Sequence, residues 1–208
     1  MNKVMIVLAL IAVTGIASAD LTMDGADFAA GPAVGWVNAG ENSPTEWGSP
    51  WGVPDLRQNV VGGALYIQTN IASTDPTGAD PYWVPGNVQM ESLGYTEAAV
   101  VAGELLTLNF NVLSNNLAGA DGGKINPIVT QAFVKVLDPG QGWATIDQAY
   151  VDLNVGAGSV SLTSTVAGVA QFGFLTLGTN DLADSDTGGL AAVIEVPEPA
   201  TMALLGLG

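Results

Sequence analysis

Apolar and polar residues alternate in short runs along most of this chain, and the clearest run is Leu105 to Leu113. Leu106, Leu108, Phe110 and Val112 fall on one face there, with Thr107, Asn109 and Asn111 on the other. A period of two places successive side chains on opposite sides of a strand and cannot form one stripe on a helix. Val129 to Leu137 repeats the pattern, with Ala132, Val134 and Val136 inward and Gln131 and Lys135 outward. Asp138-Pro139-Gly140 then reads as a turn, because proline fixes φ and glycine accepts positive φ. Further strands are expected at Val61 to Thr69, Thr145 to Leu153, Ser159 to Thr165, Ala170 to Leu177 and Leu190 to Val196. Tyr95 to Gly103 is read as holding one helical turn. Seven or more strands without a long helix predict an all-β chain, an antiparallel β-sandwich.

The two extremities break this pattern. Met1-Asn2-Lys3 is a short basic start, Val4 to Val13 is unbroken apolar sequence, and Ala17-Ser18-Ala19 offers the small residues that a signal peptidase reads. These features predict a secretory signal helix over residues 1–19, cut between Ala19 and Asp20. At the other end, Val196-Pro197-Glu198-Pro199 can neither continue a strand ladder nor begin a helix before Pro199. Met202, Ala203, Leu204, Leu205 and Leu207 follow, far fewer than the ~20 apolar residues that span a bilayer.

The Pro197-Glu198-Pro199 triplet before an apolar stretch resembles the PEP-CTERM sorting signal of exported bacterial proteins. In that family a transmembrane helix and an arginine-rich cluster follow, and an exosortase removes the tail. The resemblance therefore implies export from a Gram-negative cell, with signal peptidase and exosortase as processing partners. It also implies transient membrane association through a full-length tail, and an association with exopolysaccharide and biofilm matrix. This chain shows only the motif and the first turns of the helix, so the tail over residues 196–208 is expected to be incomplete. One sandwich domain is expected over residues 20–195, about 176 residues and long enough for a substantial core.

Composition narrows the function classes. Beyond the leader, three cations (Arg57, Lys124 and Lys135) stand against twenty carboxylates. Such a surface repels phosphate backbones and anionic membranes, which disfavours nucleic acid as a partner, while neutral sugars and divalent cations remain compatible. Cysteine and histidine are both absent. Their absence removes disulfides, His-dependent nucleophilic systems and most zinc sites.

The order Gly62 to Ile67, Pro81-Tyr82-Trp83, Gly103 to Phe110, then Gln171 to Phe174 is similar to jelly-roll carbohydrate-binding modules and related laminin-type sandwiches. That resemblance implies a jelly-roll arrangement and, less directly, sugar binding.

Three kinds of candidate residue follow. Trp36, Trp47 and Trp51 lie in the polar Gly/Pro-rich segment 31–55, and Tyr82-Trp83 lies in a second loop-like stretch. Exposed indoles stack on the C–H faces of sugar rings, and Asn38, Glu41, Glu46, Asp55, Asp80 and Asn87 are polar neighbours for hydroxyls. The competing reading folds these tryptophans back as a lid on the sandwich edge. Trp143, just past a turn, is read as a cross-strand packing residue. Asp181, Asp184 and Asp186, with Asn180 and Thr187 alongside, form an oxygen-rich loop suited to Ca2+, although its spacing matches no EF-hand; the competing reading is a solvated acidic turn. Asp20, Asp24 and Asp27 are a second acidic group, by analogy with sandwich modules that hold calcium near their termini. No Walker loop, HExxH or GxSxG is present, and no carboxylate pair stands in a catalytic context, so no catalytic residue is assigned. The expectation is a non-enzymatic surface or matrix protein that contacts extracellular polysaccharide. The alternative is a structural surface protein with calcium or no specific ligand, and a glycan-active enzyme is the remaining reading.

Overall fold

The computed structural model describes residues 18–23, 33–38, 46–47, 58–68, 71–72, 88–119, 128–179, 181–182 and 190–195. The expected signal helix and the sorting tail lie outside them, save Ser18 and Ala19. Fourteen strands occur among these residues. In chain order they are β1 (Ser18–Leu21), β2 (Ala33–Asn38), β3 (Glu46–Trp47), β4 (Gln58–Val61), β5 (Ala64–Ile67), β6 (Ile71–Ala72), β7 (Val88–Val100), β8 (Leu105–Asn115), β9 (Val129–Asp138), β10 (Ala144–Asp152), β11 (Gly156–Thr163), β12 (Gly168–Thr179), β13 (Asp181–Leu182) and β14 (Ala192–Glu195). The single helical piece among them is a 3-10 turn over Pro139–Gln141.

Two sheets carry the fold. The first is built on β8, with β11 along one side and β14, β5 and β4 on the other. The second runs β10-β9-β12-β7-β2-β3, and β13 and β6 form a small separate ladder. The chain is therefore all-β, in a two-layer arrangement of the sandwich kind. Its first sheet is mixed rather than purely antiparallel, because β1 runs parallel to β8 and pairs Ser18 with Leu105 through Leu21 with Leu108. β13 is also parallel to β6.

The core is the alternation made physical. Leu65, Leu106, Leu108, Val112 and Ile194 from the first sheet meet Ala132, Val134, Val136, Phe172 and Phe174 from the second in one buried cluster. Burying a Leu, Ile or Phe side chain contributes about 1.5–3 kcal/mol each. Phe110 and Phe174 close the gap between layers edge to face, with centroids 5.8 Å apart and planes at 89°. Phe110 can lie flat across β11 because the residue opposite it is Gly158; a Cβ there would stand 2.5 Å from the ring.

Asn115, at the end of β8, ties the two layers together. Its Nδ2 donates to Thr130 Oγ1 at 2.8 Å and to the Leu153 carbonyl at 2.7 Å. Its Oδ1 accepts from the backbone N–H groups of Leu117 and Ala118 at 3.2 and 3.0 Å.

Three expectations are corrected. Val61 to Thr69 is not one strand: Gly62 and Gly63, at φ 60° and 76°, form a two-residue turn that folds the segment into the β4–β5 hairpin. Two positive φ values in succession suit the right-handed twist of paired strands, and Gly-Gly supplies them without steric cost. Tyr95 to Gly103 holds no helical turn. Its helix-compatible residues Glu97, Ala98 and Ala99 belong to β7, whose backbone pairs with β12 from Gln89 to Val100. The stretch 31–55 read as loop contains β2 and β3.

β1 and β14 lie end to end on one side of β8. Leu21 stands opposite Leu108 and Glu195 opposite Asn111, so only Asn109 and Phe110 separate their rungs. Glu195 is fixed there by Asn111, whose Nδ2 donates to Glu195 Oε2 at 2.8 Å. The ladder has little room to run beyond Glu195, and Pro197 has no N–H to extend it.

Candidate functional site

On the outer face of the second sheet a buried apolar cluster borders half-exposed and exposed aromatic and polar side chains. Side chains alternate across a strand, so the register puts Leu93 and Tyr95 of β7, Gln171 and Leu175 of β12, Phe133 and Lys135 of β9, and Gln148 and Tyr150 of β10 on the side away from the core. Gly173 pairs with both Tyr95 and Phe133 and contributes no side chain between them; a Cβ there would collide with the Gly94 carbonyl oxygen. Phe133 is fully buried in a second apolar cluster with Leu93 and Leu175, against which Tyr95 and Leu177 pack. The Lys135 ammonium lies 5.0 Å from the Phe133 ring centroid and 5.6 Å from that of Tyr150, within cation–π range of both.

Above this surface is a groove of about 290 Å³, lined by Tyr95, Lys135, Trp143, Thr145 and Gln171 together with Leu93 and Leu137. Trp143 stands at its rim because of the turn before β10. Asp138 caps the 3-10 turn, accepting from Gly140 N at 2.8 Å and from Gln141 Nε2 at 2.7 Å. Gly142 follows at φ 68°, and Trp143 itself takes φ 67°. Among the described residues it is the one non-glycine with positive φ. A left-handed L-residue costs about 1–2 kcal/mol. Trp143 is held there by its own N–H donating to the Asp138 carbonyl at 3.0 Å. The indole is 57% exposed. A large aromatic held in a strained conformation and left half in water is where a binding role is to be sought.

One polar group beside the indole, the Gln171 amide, is held in place. Gln171 Nε2 donates to Glu97 Oε1 at 2.8 Å. Burial first, and then the nearby Glu97 carboxylate, raises the Tyr95 pKa above its ordinary value. Its phenol therefore stays protonated and able to donate. The groove thus offers aromatic surface for C–H faces, with an amide, two hydroxyls and an ammonium beside it.

The sequence-derived candidates fare differently. Trp36 and Trp47 sit on the neighbouring strands β2 and β3, with Trp36 paired to Glu46 and Met90 and Trp47 paired to Gly35. Trp51, Tyr82 and Trp83 lie outside the described residues. Asp181 opens β13 opposite Ile71, while Asp184 and Asp186 lie outside the described residues. Asp20 is in β1, and Asp24 and Asp27 lie outside the described residues. No group of three potential metal-ligating side chains occurs among the described residues. Of the expected processing positions, Ala19 and Asp20 pair with Leu106 and Thr107; Ala17, Pro197, Glu198 and Pro199 lie outside the described residues.

Trp143 is corrected outright. It precedes β10 in the turn and is exposed at the rim of a groove, not packed across strands. The signal was present in Gly140-Gln141-Gly142, since two glycines before the indole announce an irregular backbone rather than a strand start. Tyr95 was hidden by the helical expectation, and Lys135 and Gln171 were legible only as outward strand positions.

No protein-family model, curated protein or solved structure matches the chain.

Proposed function

We propose that this chain is an exported, non-catalytic surface or matrix protein whose jelly-roll-like sandwich contacts extracellular polysaccharide. A PEP-CTERM-type signal sorts it, with signal peptidase acting before Asp20 and an exosortase acting on the tail. The observation that carries the saccharide reading is Trp143, a strained and half-exposed indole beside Tyr95 on one groove. A pyranose ring stacks its C–H face on such an indole while neighbouring amide and hydroxyl groups take its hydroxyls. The address rests on the leader and on the Pro197-Glu198-Pro199 motif.

Affinity gel electrophoresis in soluble exopolysaccharides tests the saccharide reading. The protein is expected to be retarded by at least one neutral polymer, and Trp143→Ala to lose about tenfold in affinity, the worth of one aromatic contact. Retardation by none, or an unchanged Trp143→Ala variant, overturns it. N-terminal sequencing of the protein from an exosortase-bearing host tests the address, with Asp20 expected as the first residue.

A further inference from the structure

We propose that folding closes the leader junction: signal peptidase cuts the Ala19–Asp20 bond before β1 docks on β8, and the docked strand protects it. This rests on the leader boundary proposed above and adds the order of events there. Hydrolysis consumes one water and breaks the amide, leaving a carboxyl on Ala19 and an amine on Asp20. The bond lies inside a strand of the fold and not in a linker. β1 runs from Ser18 to Leu21, and Ala19 and Asp20 are its two middle rungs, opposite Leu106 and Thr107.

Side chains alternate along an extended strand, so Ala19, Leu21 and Met23 share one face. That face is turned inward. Leu21 and Met23 are buried in the cluster that holds Leu106, Leu108 and Phe172, and Ala19 packs against it. A signal peptidase reads the small side chain just before the cut. Gripping an extended segment also uses backbone groups that a ladder uses. Ala19 cannot face the core and the enzyme at once. β1 has four residues, so it opens locally without the whole fold coming apart. Opening still returns Leu21 to water, which lowers the accessible fraction about 10–100-fold. The leader suits this order. Lys3 is its one basic side chain, so it lacks the twin arginine of the export route that carries folded chains.

The full-length chain, diluted from urea into mild detergent, is offered to purified signal peptidase after increasing delays, and the cut is read by mass spectrometry. Chain met at once should be cut fast, and chain met after folding about 10–100-fold more slowly. The fast fraction should fall with the time course of folding read by tryptophan fluorescence. Phe172→Asp buries an unpaired charge in the core and prevents folding while leaving the junction unchanged, so it should be cut fast at every delay. Folded chain cut as fast as fresh chain, or unfolded Phe172→Asp protected like the wild type, overturns the proposal and leaves the leader reading standing. No cut before Asp20 even in fresh chain overturns both.

Discussion

Replacing Asn115 by alanine removes four hydrogen bonds from the junction of the two sheets. Three of them end on residues with almost no access to water, since Leu117 is 0%, Thr130 2% and Leu153 3% exposed. Ala118 is exposed, so its N–H can turn to solvent. Each bond contributes about 1 kcal/mol net, and an acceptor stranded in the interior costs more, giving a loss of about 3–4 kcal/mol. That is a large part of the 5–15 kcal/mol by which a domain is ordinarily stable. Urea unfolding followed by tryptophan fluorescence reads the loss as a lower midpoint at unchanged slope. Asn115→Asp sharpens the test. A carboxylate still accepts from Leu117 and Ala118 but turns a negative oxygen on the Leu153 carbonyl, and only the protonated acid can donate there. Its folded-state pKa is therefore raised, so the variant should be most stable at low pH and lose stability as pH rises through that value. A loss below about 1 kcal/mol for Asn115→Ala, or no pH dependence for Asn115→Asp, would refute the view that this side chain joins the layers.

Three further expectations follow from other sites. Thr176 Oγ1 is buried on the inner face of β12 without a hydrogen-bond partner, so Thr176→Val should stabilise the protein by about 1 kcal/mol in thermal or urea unfolding. Gly158→Ala puts a methyl into the Phe110 ring and should cost about 1–3 kcal/mol, with Phe110→Leu in the same chain recovering part of it. Tyr95 should ionise above the ordinary tyrosine range in an alkaline absorbance titration, the step being identified by its loss in Tyr95→Phe. Because its folded pKa is raised, its contribution to stability is full below the ordinary tyrosine value and fades as pH climbs through the folded one.

Much of the fold was legible because burial imposes a period. β8 follows the alternation closely, β9 departs from it only at Phe133 and Leu137, which are buried at outward positions, and the strand expected at Ala170 to Leu177 is the middle of β12. Legibility ended where local preference and long-range pairing disagreed. Glu97-Ala98-Ala99 favours a helix in isolation and becomes strand because β12 offers it a complete ladder. β1 was unreadable for a different reason: its residues also serve the expected leader boundary, and a four-residue parallel pairing leaves no local pattern. The groove was hidden more deeply still. Tyr95, Lys135 and Gln171 come from three strands far apart in the chain, brought side by side only by register. Trp143 was visible as a residue, but its exposure depends on a backbone twist that spacing alone does not encode.

The position of β14 decides how the molecule bears tension. Hydrogen-bonded to β8 on one flank and β5 on the other, it is the last strand among the described residues, and Pro197-Glu198-Pro199 follows it in the sequence. Any tether attached beyond Glu195 hauls on this strand along its own axis. Its rungs on both flanks are then sheared together instead of unzipping one at a time from an edge. A protein held at a cell surface in flowing liquid would thus resist detachment with the strongest geometry a short strand can offer.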